Sequence, residues 1–288
     1  MLIHAVSCYK RYVNTNQDFA TGSDDGSKSL PAGRKADLIA VVTEKRQVTV
    51  ADLADRFGVS VDTIRRDLDA LDAEGLVIRT HGGAVSPSAP ARPDSGIGVR
   101  RRVQAAAKET IGAIAAGLVE DGSTIMINAG TTALAVARHL KHHRGLTIAT
   151  NNVMLPAEID AEAYRNLYVF GGTVRANDLA TIGPVVFTGA AGEDIDVRCE
   201  LALIAVGGIT SDAGYSTSNL AEAAMMRSMM TRANRVGVLI DSTKFDRRLF
   251  AQFAPLSAAD YVITDKAPDA DLSSALADAG VEILLPSE

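Results

Sequence analysis

Residues 50–71, VADLADRFGVSVDTIRRDLDAL, constrain the fold more than any other stretch of this 288-residue chain, because two short amphipathic segments meet there at Gly58. Thr49 followed by Asp52 has the spacing of a capping box, and Leu53, Ala54 and Phe57 give the first segment one apolar face. Gly58 ends it, since glycine enters the left-handed backbone of a helix C-cap with least strain. Ser60 reads as the N-cap of a second helix in which Val61, Ile64, Leu68 and Leu71 recur as a buried stripe. At about 100° per residue, Arg66 then lies nearly opposite the stripe, Asp62 and Thr63 flank it, and Arg65 sits on its shoulder.

Two helices joined by a tight glycine turn, the second with outward arginines, have the shape of a major-groove reader. Arg66 and Thr63 are placed to reach base edges and Arg65 a phosphate. A guanidinium donates two bonds to guanine, and threonine offers thymine a hydroxyl and a methyl. Alone, the arginine pair fits a solvated surface helix equally well, with Asp62, Asp67 and Asp69 to neutralise it. The next segment, GLVIRTHGGAV at 75–85, shifts the balance, because two short apolar runs around a His-Gly-Gly turn read as a two-stranded wing.

VTVADLADRFGVS, TIRRDL and RTHGGAV together resemble the N-terminal domain of DeoR-type bacterial transcription regulators. The resemblance covers residues 34–86, beginning at Arg34 and including a first helix whose apolar face is Leu38, Ile39, Val41 and Val42. It implies a winged helix-turn-helix on double-stranded operator DNA, with Ser60, Thr63, Arg65 and Arg66 in the major groove. Arg79 and His81 of the wing are further DNA-contact candidates.

Charge complicates that expectation. Arg34, Lys35, Lys45, Arg46, Arg56, Arg65, Arg66 and Arg79 face Asp37, Glu44, Asp52, Asp55, Asp62, Asp67, Asp69, Asp72 and Glu74, a balance of minus one. Phosphate neutralisation supplies much of nucleic-acid affinity, so such a domain must segregate its charges or bind weakly as a monomer. Homodimers or homotetramers on repeated half-sites are therefore expected. The whole chain is acidic, 29 Lys and Arg against 35 Asp and Glu, which disfavours nonspecific adhesion to polyanions.

Cys8 and Cys199, far apart and without ligand-spaced His or Cys neighbours, argue against a disulfide scaffold or a structural metal site. No metal and no cofactor are expected, and the compartment predicted is a reducing cytoplasm. No apolar run approaches the ~18 residues of a membrane span, so no membrane partner is expected. Residues 1–33 read as a tail: NTNQDFATGSDDGSKSLPAG is polar and aperiodic. SPSAPARPDSG, at 86–96, reads as an extended spacer, placing a linker at 87–102 and a second domain at 103–288.

That second domain alternates apolar strands, at 124–128, 146–150, 167–171, 201–206, 236–240, 261–264 and 281–285, with helices at 105–118, 132–140, 153–163 and 220–231. Such alternation predicts an α/β fold, a mostly parallel Rossmann-like sheet covered by helices, with ligands at the carboxyl ends of its strands. Small polar residues gather at those ends. Gly130, Thr131 and Thr132 turn a strand into a helix, an arrangement suited to phosphate. Thr150, Asn151 and Asn152, the GGTVR run at 171–175, Gly207 with Gly208, and the DSTKF run at 241–245 follow later strands. Each taken singly also fits an ordinary cap or turn.

In this order they resemble the effector domain of the same family, over residues 104–265, related in fold to ribose-phosphate isomerases and binding phosphorylated sugars. The resemblance implies that Gly130, Thr131 and Thr132 hold phosphate, that Asn151 and Gly172 line the sugar, and that Lys244 supplies a cation. Arg175 is a further candidate, and Lys108 matches an early lysine that also fits a surface position. Asn128 stands where the family commonly has aspartate; it is counted in the effector site, and as an amide it cannot act as a base. Met226 stands where the family has lysine, and Met225, Met226, Met229 and Met230 read as core or subunit packing. The function expected is a repressor of a carbohydrate operon. The alternative is an isomerase-like enzyme fused to a DNA-binding module, with Glu222, Asp178 and Asp241 as proton shuttles.

Overall fold

A computed structural model of the chain describes residues 31–92 and 95–287. Cys8 and the predicted tail up to residue 30 lie outside the described residues. The N-terminal domain comprises α1 (Pro31–Lys45), β1 (Gln47–Thr49), α2 (Val50–Phe57), α3 (Val61–Ala73), β2 (Ile78–Thr80) and β3 (Gly83–Val85). Its caps are those the sequence predicts. Thr49 Oγ1 accepts from the Asp52 amide at 3.1 Å, Ser60 Oγ accepts from the Thr63 amide at 3.2 Å, and Gly58 is left-handed at φ 60°. Leu38, Val42, Leu53, Ile64, Leu68 and Leu71 form one buried cluster between the three helices. Val61 departs from expectation and is exposed. It occupies the first position after the cap, where the helix still points away from the core that Ile64 enters one turn later.

β1 and β2 both pair antiparallel with β3, giving the wing a third strand that the two apolar runs alone do not announce. The segment expected to be extended carries a six-residue helix, α4 (Ile97–Arg102). Val99 and Val103 pack with Ala89 and Ala91 against Ile78 and Val85 of the wing, and this small apolar cluster gives the linker its shape.

The second domain begins with α5 (Ala105–Ala116), β4 (Thr124–Ile127), α6 (Thr131–His139), β5 (Leu146–Thr150), α7 (Leu155–Glu158) and β6 (Tyr164–Val169). Two hairpins follow, β7 (Thr173–Arg175) with β8 (Ala180–Ile182), and β9 (Val186–Thr188) with β10 (Asp194–Asp196). Then come β11 (Cys199–Ala205), β12 (Gly208–Thr210), β13 (Gly214–Thr217), α8 (Leu220–Met230) and β14 (Ala233–Leu239). The chain closes with β15 (Ala251–Ala254), β16 (Tyr261–Ile263), α9 (Ala270–Asp278) and β17 (Glu282–Leu284).

Every strand predicted for this second domain enters one seven-stranded sheet, in the order β17-β16-β14-β11-β4-β5-β6 and parallel throughout. Side chains alternate between its faces. Ile125, Ile127, Leu201 and Leu203 meet α5 and α6 on one side, while Met126, Ala202 and Ile204 meet α8 and α9 on the other. The four methionines of α8 are core on that second face. The helix expected over 153–163 shrinks to α7. It starts at the Pro156 turn and stops where the Asp160 carboxylate accepts from the Glu162 amide, an Asx turn that competes with helix.

Strands after β4 are added toward one edge of the sheet, while β11, β14, β16 and β17 extend toward the other. The order therefore reverses between β4 and β11. Loops leaving the carboxyl ends of those two neighbours diverge and open a crevice, the place where open α/β sheets bind ligands.

Candidate DNA-contact helix and anion cleft

On α3, the second helix of the helix-turn-helix, Arg66 is exposed and has no side-chain partner among the described residues. Arg65 is exposed and held by Asp62 one turn earlier at 3.1 Å, a solvent-screened pair worth little. Ser60 and Thr63 share a 2.9 Å hydroxyl contact at the N-terminus of the helix, and His81 is exposed at the wing turn. Arg79, also a DNA-contact candidate, is engaged within the domain. Its Nε donates to Asp69 at 2.8 Å and Nη1 to the Gly83 carbonyl at 2.9 Å, so it braces the wing against α3.

The acidic balance resolves in the same contacts. Asp67 pairs with Arg34 at 2.6 Å, Asp69 with Arg79, Asp72 with Arg102 at 2.7 Å and Glu74 with Lys35 at 3.6 Å. Four carboxylates of α3 and its C-cap are thus spoken for internally, and Arg66 keeps its charge for a partner.

In the second domain a cleft open to solvent lies at the switch point. Ala129, Gly130, Thr131 and Thr132 line it after β4, and Ala205, Val206 and Gly207 after β11. Gly130 is the N-cap of α6 and supplies no side chain, so the first amides of that nine-residue helix remain without a side-chain acceptor. Lys244 enters from the turn after β14, and Arg92 and Arg100 enter from the linker. With Arg247, the lining formed by the described residues holds four cations against two carboxylates, Asp178 and Glu222. Arg175 stands behind this wall, 3.0 Å from Asp178 and 3.9 Å from Glu222.

Gly130, Thr131, Thr132 and Lys244 therefore come together in one cleft, while Asn128, Asn151 and Gly172, like Arg175, do not line it. The Asn128 amide is consumed by the backbone of β11, donating to the Ala205 carbonyl at 2.9 Å and accepting from the Ala205 amide at 2.7 Å. Asn151 is used in the same way, accepting from the Ala129 amide at 2.7 Å and donating to the Thr181 carbonyl at 2.9 Å. Gly172 belongs to the hairpin base, where a Cβ would stand 2.2 Å from the Ile182 carbonyl oxygen. Each buried amide meets the donors and acceptors nearest it, and here those are strand ends. Arg92, Arg100 and Arg247 escaped the sequence reading. The run Arg100, Arg101, Arg102 was the available signal, in a stretch that composition marks as linker.

Beneath the cleft sits a buried charge cluster. Asp241, fully buried at the end of β14, accepts from Thr243 Oγ1 at 2.5 Å and lies 3.4 Å from the Lys244 ammonium, without hydrogen-bond alignment at that oxygen. Burial opposes its ionisation, but Lys244, Thr243 and Lys108 outweigh that and hold its pKa below the ordinary 3.8. Lys108 is itself buried, contrary to a surface reading. Burial above all, and then repulsion from Lys244, bring its pKa from 10.5 to about 7, against the pull of Asp241. Between those two values the unfolded chain binds a proton that the folded chain has released. Unfolding free energy should therefore rise with pH across that window, by up to about 1.4 kcal/mol per pH unit. Urea titrations from pH 7 to 10 should show this slope in the native chain and a flatter one in Lys108→Met; equal slopes would exclude Lys108 as its source.

Among the described residues no helix is long and apolar enough to cross a membrane, and no cluster of His, Cys, Asp and Glu is arranged to hold a metal.

A family model described as the DeoR-like helix-turn-helix domain matches residues 34–89, and one described as the DeoR C terminal sensor domain matches residues 103–266. The HTH-type transcriptional repressor CsqR of Escherichia coli K12 is 32% identical over 88% of this chain and 95% of its own length. The glycerol-3-phosphate regulon repressor of the same organism is 29% identical over 86% and 96%. Among solved structures, a ribose 5-phosphate isomerase A from Methanocaldococcus jannaschii aligns at a TM-score of 0.34 and 14% identity, over 49% of this chain and 55% of that one. With a winged helix-turn-helix, a parallel sheet whose cleft opens at the switch point, and both domain models matched in order, the chain belongs to the DeoR family of DNA-binding transcription regulators.

Proposed function

We propose that this protein is a cytoplasmic transcriptional repressor of a carbohydrate operon. It binds repeated operator half-sites as a homodimer or homotetramer, and a phosphorylated sugar in the switch-point cleft sets its operator affinity. The observation that carries the reading is the cleft, where a helix N-terminus without a side-chain cap converges with Lys244, Arg100 and Arg247 beside the linker that leads to the DNA-binding domain. Backbone amides at a helix start and guanidinium groups are the two donor types that phosphate esters select. Such a ligand changes operator affinity only insofar as it binds the DNA-competent and DNA-free conformations unequally.

The test is fluorescence anisotropy of the DNA upstream of the protein's own operon, titrated at fixed salt with and without a panel of phosphorylated sugars. One member should weaken operator binding selectively; specific binding that no member shifts would remove the sensor half of the proposal. In the same assay Arg66→Ala should cost about 1–3 kcal/mol on the cognate operator and lose discrimination at the base it reads. A uniform loss across operator variants would instead reassign Arg66 to a phosphate.

A further inference from the structure

The interdomain helix α4 holds both halves of the molecule through two arginines on one turn. Arg102 pairs with Asp72 near the end of α3 at 2.7 Å, and Arg100 lines the cleft with its guanidinium bonded to Asp178. The backbone beside Arg100 is clamped too. The buried Lys108 ammonium donates to the Arg100 carbonyl at 2.5 Å and to the Val103 carbonyl at 2.6 Å, satisfying carbonyls at the C-terminal end of a helix too short to satisfy them itself.

Asp178 is out of character in a site for anions. It is buried, it faces the cleft, and it is neutralised there by Arg100 and Arg175. An arriving anion is repelled by this carboxylate while competing for the same guanidinium. A phosphate monoester has the stronger claim, since it carries more charge and offers three oxygens to the planar fork. Asp178 retains Arg175 as a partner when Arg100 leaves it, so the exchange strands no buried charge.

We propose that Arg100 is a direct ligand of the effector's anionic group, and that the anion takes Arg100 from Asp178. Occupancy of the cleft is thereby imposed on α4 and passed through Arg102 and Asp72 to α3. Arg100 and Arg102 are only about 3 Å apart along the helix axis at 1.5 Å per residue, so a displacement of one is not absorbed before the other. This inference rests on the sensor reading above and adds to it a ligand from the linker and the contact through which the two domains communicate.

The experiment uses the full chain with inorganic phosphate and glycerol 3-phosphate as probes. Binding is followed by phosphorus NMR and isothermal calorimetry, and operator affinity by anisotropy. Arg100→Gln should weaken probe binding about tenfold or more, the scale of one lost charge-assisted pair. Asp178→Asn should act in the opposite direction, tightening probe binding about threefold or more by removing the competitor, and lowering the concentration that releases the operator in proportion. Arg102→Gln should leave probe affinity within about twofold while shrinking the probe's effect on operator affinity. A bridge that is merely structural makes Arg100→Gln and Asp178→Asn act alike. If the native chain binds the probes and both substitutions weaken binding, or Arg100→Gln leaves it unchanged, the exchange is overturned and the sensor stands. If the native chain binds neither probe nor any member of the sugar-phosphate panel, the sensor reading falls and this inference falls with it.

Discussion

Asp241→Ala is expected to destabilise the second domain by about 3–5 kcal/mol, the range for removing one partner of a buried ionic group. Asp241 is fully buried and is the carboxylate that faces both Lys244 and Lys108. Without it Lys244, whose side chain is only 12% exposed, keeps a charge with no counter-ion, and Thr243 Oγ1 loses its acceptor. Lys108 contributes less to the loss because burial already brings its pKa to about 7, and deprotonation offers it an escape. The double variant Asp241→Ala, Lys244→Met should therefore recover part of the loss, a coupling that a double-mutant cycle reads directly. Urea unfolding should be followed with probes for each domain, because a two-domain chain has no guaranteed single transition. A cost below about 1 kcal/mol, or strict additivity in the cycle, would show that water reaches this cluster. On the acid side the contribution of Asp241 is present above pH 3.8, the ordinary carboxylate value, and disappears as pH falls through the lower pKa it has in the fold.

The second large effect separates two adjacent glycines. Gly83→Ala should cost about 3 kcal/mol or more, since an added Cβ stands 1.9 Å from the Val48 carbonyl oxygen and 2.9 Å from the Thr49 Cα. Both obstacles are backbone of the paired strand β1, and no rotamer change relieves them. Gly83 lies on β3, the central strand of the wing sheet, opposite Thr49 on one side and Thr80 on the other. A domain of this size holds only roughly 3–8 kcal/mol in total, so most of its stability goes, and operator binding with it. Gly82→Ala should be neutral within about 0.5 kcal/mol, since a Cβ at Gly82 meets nothing within 4 Å and its carbonyl still accepts from the Val50 amide. Equal behaviour of the two variants in anisotropy and unfolding would refute the register of β1 on β3.

These contrasts show where sequence reading succeeds and where it stops. The helix-turn-helix was legible because its determinants are local: Thr49, Ser60 and Gly58 act on backbone within one turn of themselves. The seven sheet strands were legible for a related reason. A strand buried on both faces must be a short apolar run, and such runs stand out between polar strand ends. Less was legible in residues 173–196, whose four strands are three residues each and, apart from the buried β8, are half-buried or exposed with little apolar pattern.

The cleft was half legible. The helix start at Gly130, Thr131 and Thr132 is a local signal, and so is the strand end that places Lys244. The roles of Asn128 and Asn151 are settled by which strand end lies beside each amide, Ala205 for one and Ala129 with Thr181 for the other. Those neighbours are between 22 and 77 positions away in sequence, and no spacing rule reports them. The contacts of Arg79 with Asp69 and Gly83 are likewise set by the packing of the wing on α3.

By itself, then, the sequence determined the caps, the apolar periodicities, the two-domain order and the family, all consequences of forces that act within a few residues of one chain segment. Only the tertiary structure decided which charges are consumed and which remain for partners, that Lys108 is buried beneath the cleft, and that a linker arginine completes its wall. Those outcomes depend on the sheet order reversing between β4 and β11 and on α4 packing across both domains, and electrostatic and hydrogen-bond partners are chosen by distance in space.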